Sequence, residues 1–475
     1  MSEKPDFGKD DLFWSTGFFL AAASFFLVRL WGIARGAELL PDEAQYWAWS
    51  KELAWGYYSK PPVIAWVIHA ASFLGGDGEM ALRLPSALAY TLAGVFVFKA
   101  ASLCLGKRPG AWAGMLFLAM PGVAVGAQVM TTDAFLLLFW ALAVYFLALA
   151  QKSAAPWPWL GLGAAVGLGM LSKYTMVLFP LILFPFVLNK KTQHRGFVLA
   201  MGLAFLIFLP NLLWNLRHGQ ATLAHTASIS HMQKGGLHPG NFLEFFGAQI
   251  GVFGPAFLLL FPATAFFLKK RQTFWPALAW GVLGPFLLLA FLARALANWA
   301  APAYAGGSIL VARWVACHPS KKKTLCIILI LQALISLAVA AGPQALGIAP
   351  GSPWDPWRRA RGYRGLGEAL KERSRSLPAF VLVAEERRLF AELLYYFRPG
   401  QAVKINPEGN IKDHFDLVAK PEVLQGMPAL VVSEKPRCAL CGKWGGKLLE
   451  PVRVQLSTGR EKFFYLYWIP KDERP

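Results

Sequence analysis

The chain has 475 residues, of which 56% are hydrophobic and only 16% charged, which excludes an ordinary soluble domain and points to a polytopic membrane protein. Its formal net charge of +20 raises the question of nucleic-acid binding, and the placement of the charge argues against it. The basic clusters Lys107-Arg108, Lys190-Lys191, Lys269-Lys270-Arg271 and Lys321-Lys322-Lys323 sit in short segments between apolar runs, the pattern that orients helices during membrane insertion.

Apolar runs of span length fall at 12–34, 82–104, 110–127, 133–150, 158–171, 174–189, 197–214, 246–268, 274–295, 298–316 and 324–345, about eleven in all. The segment 158–171 is short and rich in glycine, so it is the weakest span of the set. Keeping it leaves the four basic clusters and the polar N-terminus on the cytoplasmic side, and the loops at 35–81 and 215–245 and the C-terminal tail then face outward. The first apolar segment is long enough to span and lacks a small-residue cleavage site, so it reads as a permanent helix.

The first outward loop carries Pro41-Asp42-Glu43-Ala44-Gln45-Tyr46-Trp47. Carboxylates beside a bilayer are costly unless hydrated, paired or used in chemistry. On a surface helix over 42–51, Asp42, Tyr46 and Trp49 share a face while Glu43 points elsewhere, so the two acids meet different environments. Capping of the helix N-terminus is the structural alternative for the pair. Further along, Tyr57-Tyr58-Ser59-Lys60-Pro61-Pro62 supplies aromatic rings and a cation on a stiffened turn; Lys60 either meets an anion or snorkels to the interface.

Asp133, in Met130-Thr131-Thr132-Asp133-Ala134, lies at the outward head of the fourth span, where it caps the helix or orders a site. Lys173 and Tyr174 face the same side. The seventh span ends in Pro210-Asn211-Leu212-Leu213-Trp214-Asn215-Leu216-Arg217-His218-Gly219, with His225, His231 and Glu244 beyond it; the spacings of these histidines match no metal-ligand pattern. Arg294 precedes Asn298-Trp299-Ala300-Ala301-Pro302-Ala303-Tyr304, whose rings either line a cleft or belong to the interfacial aromatic belt.

From about residue 346 the composition changes. Pro343, Pro350, Pro353 and Pro356 mark a linker, and the segments 380–384, 429–432 and 463–468 read as strands, with helical spacing over 387–397. A soluble α/β domain over 346–475 follows, and about 130 residues suffice to bury a core. Cys438 and Cys441 form a single CxxC, read as a local disulfide or inert thiols; Cys104, Cys317 and Cys326 read as apolar fillers in or near spans.

In combination, the Asp-Glu pair after the first span, the Tyr-x-Lys-Pro-Pro element, the Thr-Asp-Ala heading the fourth span and the C-terminal soluble domain resemble the GT-C glycosyltransferases that use polyprenyl-phosphate sugars. The nearest group is that of the bacterial lipid A aminoarabinose transferase and the dolichyl-phosphate-mannose protein mannosyltransferases. The resemblance covers residues 12–345 well and the C-terminal domain in general form. It implies an all-α polytopic bundle of about eleven transmembrane helices with a C-terminal soluble α/β domain, divided at 1–345 and 346–475.

The resemblance also implies roles. Asp42 takes the position of the catalytic acid, with Glu43 beside it, and Lys60 that of the lysine that contacts the lipid phosphate. Arg217, His218, Arg294 and Tyr304 are further candidates for the donor phosphate; Tyr46, Tyr57, Tyr58, Asp133, Lys173 and Trp299 are substrate-side candidates. The aminoarabinose branch has an acid directly before the lysine where this chain has Ser59. That departure removes a possible metal ligand and leaves no cofactor required, with a divalent metal still open.

The implied activity is inverting transfer of a sugar from a polyprenyl-phosphate carrier to an envelope glycolipid such as lipid A or lipopolysaccharide. The bilayer and a glycolipid or protein acceptor are its partners, nucleic acid is not, and the enzyme sits in a bacterial inner membrane with its active site and C-terminal domain periplasmic. The alternatives are a protein O-mannosyltransferase-like enzyme and a secondary transporter. The latter usually shows repeated halves and acids near mid-membrane, and neither is visible here.

Overall fold

The computed structural model describes residues 7–188, 191–222, 225 and 236–471. Packing divides the chain into two compact units. The first comprises Met1–Ala34, Lys60–Ile64 and Arg83–Ala341, and the second Arg35–Ser59, Ala65–Leu82 and Gly342–Pro475.

The first unit is helical. Among the described residues, seven helices are long and apolar enough to cross a membrane: Asp10–Ala34, Glu79–Leu105, Thr132–Ala150, Gln193–Arg217, Pro239–Lys269, Phe274–Leu292 and Pro319–Ala341; Tyr174–Leu188 and Ala303–Cys317 are shorter apolar helices. The run expected over 110–127 is two helices, Lys107–Leu118 and Pro121–Gly126, because Pro121 has no N–H with which to continue the first. The run expected over 246–268 begins earlier, at Pro239, and is interrupted at Gly254, whose φ of 76° favours glycine.

The segment 158–171 forms a helix of its own, Trp157–Met170, and its glycines account for its packing. A Cβ on Gly163 would lie 2.4 Å from the Ala200 carbonyl oxygen, and one on Gly167 would lie 2.8 Å from the Ile207 Cβ. The helix therefore approaches Lys191–Arg217 backbone to backbone, as small residues allow between membrane helices. Large apolar side chains such as Leu12, Leu27, Phe205, Leu206, Ile327 and Ile330 stay exposed on the unit's surface.

The second unit is built on a six-stranded sheet: β1 Val381–Ala384, β2 Ala402–Lys404, β3 Ala429–Ser433, β4 Lys447–Leu448, β5 Val452–Ser457 and β6 Arg460–Ile469. The order is β2-β1-β3-β6-β4, with β5 also on β6. β1 pairs in parallel with β2 and β3, and β6 runs antiparallel to β3. Every residue of β1 is buried, as expected of a parallel strand covered on both faces. The three expected strands are all present, as is the expected helix, at Arg387–Tyr396; β2, β4 and β5 are too short or too polar to stand out by pattern. Cys438 and Cys441 are joined as a disulfide beside Trp444 and Ile469 in the sheet's core.

Most of the stretch 35–81, expected as a loop of the membrane half, packs in this second unit as the helix Pro41–Ser50 and the greater part of Val63–Gly75. Hydrogen bonds explain why. The Glu38 carboxylate accepts the N–H groups of Gly362, Tyr363 and Arg364 at 3.2, 2.7 and 2.9 Å and so caps the helix Tyr363–Ser374, where unpaired donors and the helix dipole favour an anion. Glu79 takes Arg364 through both oxygens at 2.7 and 2.8 Å and also accepts the Tyr396 hydroxyl.

Candidate active site

Pro41 opens the helix Pro41–Ser50, where its missing N–H costs nothing. The two acids that follow have separate fates. Glu43 is 2% exposed, and its Oε2 accepts the Leu40 N–H at 2.8 Å, so it caps its own helix. Asp42 has 62% of its side chain exposed, and its Oδ1 takes the Arg387 guanidinium at 2.9 Å. The Arg387 Nη1 also donates to the Gln45 side chain. Asp42 thus offers Oδ2 to an incoming proton while an arginine holds the other oxygen.

Most of the aromatic residues of this stretch are packed inside the second unit. Tyr46 and Trp49 are 7% and 2% exposed, not spread on a bilayer surface. Trp49 stacks on Tyr57 with ring centroids 4.6 Å apart. Tyr57 is fully buried and its hydroxyl donates to the carbonyls of Trp49 and Glu52; burial pushes this phenol up to about 12, so it stays protonated. The Tyr58 N–H faces the His414 Nδ1 at 3.4 Å. Lys60, where the chain re-enters the first unit, is half-buried.

Within the first unit, three distant segments meet at Asp133. Its Oδ1 pairs with Lys173 Nζ at 2.6 Å and its Oδ2 accepts the Asn298 Nδ2 at 2.7 Å. The lysine and aspartate side chains are only 14% and 13% exposed. The helix Thr132–Ala150 has Thr131 at its N-cap, whose side chain makes no cap hydrogen bond, and Asp133 lies in its first turn. Next to Lys173, the Tyr174 hydroxyl bonds Asn211 Oδ1 at 2.9 Å and accepts Asn215 Nδ2 at 3.0 Å. Asn298 and Asn215 are the partners that sequence reasoning left unassigned, although both lie in the motifs that drew notice.

Other expected members do not join this cluster. Tyr304 is fully buried, with its hydroxyl on Gln249 Oε1 at 2.7 Å and its ring stacked on Phe253. Trp299 packs edge-on against Phe286. Arg217, His218 and Arg294 are exposed, and His218 stacks on Trp214. Among the described residues no group of three or more His, Cys, Asp or Glu is placed to hold a metal ion; His231 lies outside the described residues.

One acid was missed entirely. Glu392, in the helix Arg387–Tyr396, is fully buried and neither carboxyl oxygen has a hydrogen-bond partner among the described residues. Burial pushes its carboxyl well above the usual range, and the charges of Glu38, Glu43 and Glu79 add to this against Lys462. The group is neutral in the fold but ionises in the unfolded chain above about pH 4.3, so it favours the folded state less as pH rises. Glu392→Gln is expected to raise the melting temperature, by a margin that is small at pH 5 and grows toward pH 8. Melting curves across that range check it, and a margin that shrinks with pH would contradict the assignment.

Comparisons with known proteins fit this geometry. A family profile described as dolichyl-phosphate-mannose-protein mannosyltransferase matches residues 59–214. The lipid A galacturonosyltransferase RgtD of Rhizobium johnstonii is 37% identical over 283 residues, which cover 57% of this chain and 59% of that protein. The lipopolysaccharide core galacturonosyltransferase RgtA of the same organism is 28% identical over 257 residues, 52% and 51% of the two chains. The matched region thus spans between half and three-fifths of the length of these two relatives. A crystal structure of ArnT from Cupriavidus metallidurans bound to undecaprenyl phosphate superimposes with a TM-score of 0.66 at 18% identity, covering 96% of this chain and 98% of that one. The chain has the GT-C glycosyltransferase fold. In this chain the exposed acid follows the first long apolar helix, and the Asp133 cluster gathers segments that precede later ones.

Proposed function

We propose that this GT-C protein is a polyprenyl-phosphate-dependent sugar transferase that modifies an envelope glycolipid, with a hexuronic acid as the sugar class that the likeness to RgtD and RgtA favours. The observation that carries the reading is Asp42: an exposed carboxylate in the loop after the first span, held through one oxygen by Arg387, on a fold matched over nearly its whole length by ArnT. An acceptor hydroxyl attacks the anomeric carbon as the bond from that carbon to the phosphate oxygen breaks. The polyprenyl phosphate leaves with the bonding electrons, the acceptor's proton passes to Asp42, and the anomeric centre inverts. Lys60 binds the donor phosphate and stabilises charge that grows on it, with Arg217, His218 and Arg294 as further hydrogen-bond donors for the same group. Within the first unit, the Asp133–Lys173–Asn298 cluster is the substrate-side candidate. The family profile over 59–214 favours a protein acceptor as the second reading.

The test is transfer by the purified protein from a panel of polyprenyl-phosphate sugars to lipid A and to a Ser/Thr-rich peptide, read by mass spectrometry. Product on lipid A supports the reading, product on peptide alone supports the second one, and no product from any donor overturns both.

We place the second unit outside the cytoplasm. The basic clusters favour this orientation, and a disulfide at Cys438–Cys441 fits an oxidising compartment. In a protein with Cys104, Cys317 and Cys326 changed to serine, a cysteine at Ser59 is expected to react with an impermeant reagent added outside, and one at Ser153 only after permeabilisation. The reverse pattern would refute the orientation.

A further inference from the structure

We propose that Arg387 forms the subsite for the sugar carboxylate of a uronyl donor. The proposal rests on the reading of Asp42 as the base of a polyprenyl-phosphate-dependent transferase. Arg387 Nη1 is occupied by Asp42 at 2.9 Å and by Gln45, whereas Nε and Nη2 contact no acceptor among the described residues. Those two N–H groups form one planar edge of the guanidinium, the geometry that takes a carboxylate through both of its oxygens. The side chain is 32% exposed, so a ligand can reach it. Gln45, 2% exposed, fixes the head of the arginine from the buried side, which pre-organises that edge.

The neighbouring arginines are committed elsewhere. Arg361 is held by Asp355, itself buried; Arg364 is held by both oxygens of Glu79; Arg398 lies over the Trp47 ring near Asp77. Arg387 alone of these four pairs with the exposed candidate base, and exposed ion pairs contribute little to stability, so anchoring the fold does not explain it. The sign of the surroundings also matters. The charges of Glu38, Glu43 and Glu79 all act on Glu392, on the same helix as Arg387, and a further carboxylate brought in by a sugar would be repelled unless a cation met it. A neutral hexose needs no such partner, and an amino sugar would be repelled by the arginine, so a single residue discriminates by charge.

The experiment compares full-length wild type, Arg387→Gln and Arg387→Lys with two synthetic donors, polyprenyl phosphate carrying a hexuronic acid and the same carrier with the corresponding neutral hexose. In Arg387→Gln the ratio of kcat/KM for the uronyl donor over the hexosyl donor is expected to fall about 10- to 100-fold, the scale of a lost charge-assisted contact, chiefly through KM. Arg387→Lys restores part of the ratio. An unchanged ratio, even with both rates lowered, would show that Arg387 only orders Asp42 and would overturn the subsite, as would a wild type that prefers the hexosyl donor. Asp42→Asn run in parallel separates the two ideas: near-normal turnover there removes the base assignment while the donor ratio still judges Arg387. If wild type transfers neither sugar, direct binding decides, and equal affinity of wild type and Arg387→Gln for the uronyl donor overturns the proposal.

Discussion

Asp42→Asn is expected to lower kcat for sugar transfer by about 10²–10⁴-fold, the usual contribution of a positioned general base, while expression and melting temperature stay near wild type. The substitution keeps the shape of the side chain and an oxygen that still accepts from Arg387, and it removes the group that takes the acceptor's proton. Because the side chain is largely exposed, little folding energy depends on it. Lys60→Ala provides the contrast: a phosphate clamp acts on the bound donor as well as on the leaving group, so its loss raises KM for the donor and lowers kcat together. Steady-state kinetics with a defined donor check both. Near-normal turnover by Asp42→Asn would remove the base assignment, and a Lys60→Ala defect confined to acceptor affinity would remove the phosphate assignment.

Asp133→Ala is expected to destabilise the first unit by about 3–5 kcal/mol, since it leaves a largely buried lysine without its counter-ion and Asn298 without its acceptor. Removing both charges is a different matter. Asp133→Leu with Lys173→Met substitutes apolar volume for the pair and is expected to recover most of the stability, because breaking a buried pair costs far more than replacing it. Thermal unfolding in detergent measures the first effect, and transfer activity of the double variant decides what the cluster is for. Activity that returns with stability would mean that the cluster only ties together the helix Thr132–Ala150, the start of the turn Tyr174–Val177 and the turn Ala297–Ala300; activity that stays lost in a stable protein supports the substrate-side role. A double variant as unstable as Asp133→Ala would contradict the ion-pair argument.

The sequence by itself determined the class of protein, the helical character of each apolar run and the strands read at 380–384, 429–432 and 463–468. These signals are local: runs of apolar residues, their period and the proline and glycine that punctuate them are set by the solvent each segment meets. Even the weak glycine-rich segment at 158–171 is a helix, because the residues that dilute its hydropathy are those that let it touch Lys191–Arg217. The chemistry of the site was legible only in part. Asp42 and Glu43 are adjacent and alike in sequence; tertiary packing alone decided that one is exposed against Arg387 and the other is a buried cap. Arg387 lies 345 positions from Asp42, and no periodicity announces a contact over that distance. The same holds for Glu38 on the helix Tyr363–Ser374, for Glu79 on Arg364, and for Glu392, whose character comes wholly from the groups that surround it. A chain's pattern records which solvent each face requires, whereas the partner of a charge is fixed by which segments the fold brings together, and in this protein those segments come from opposite ends of the sequence.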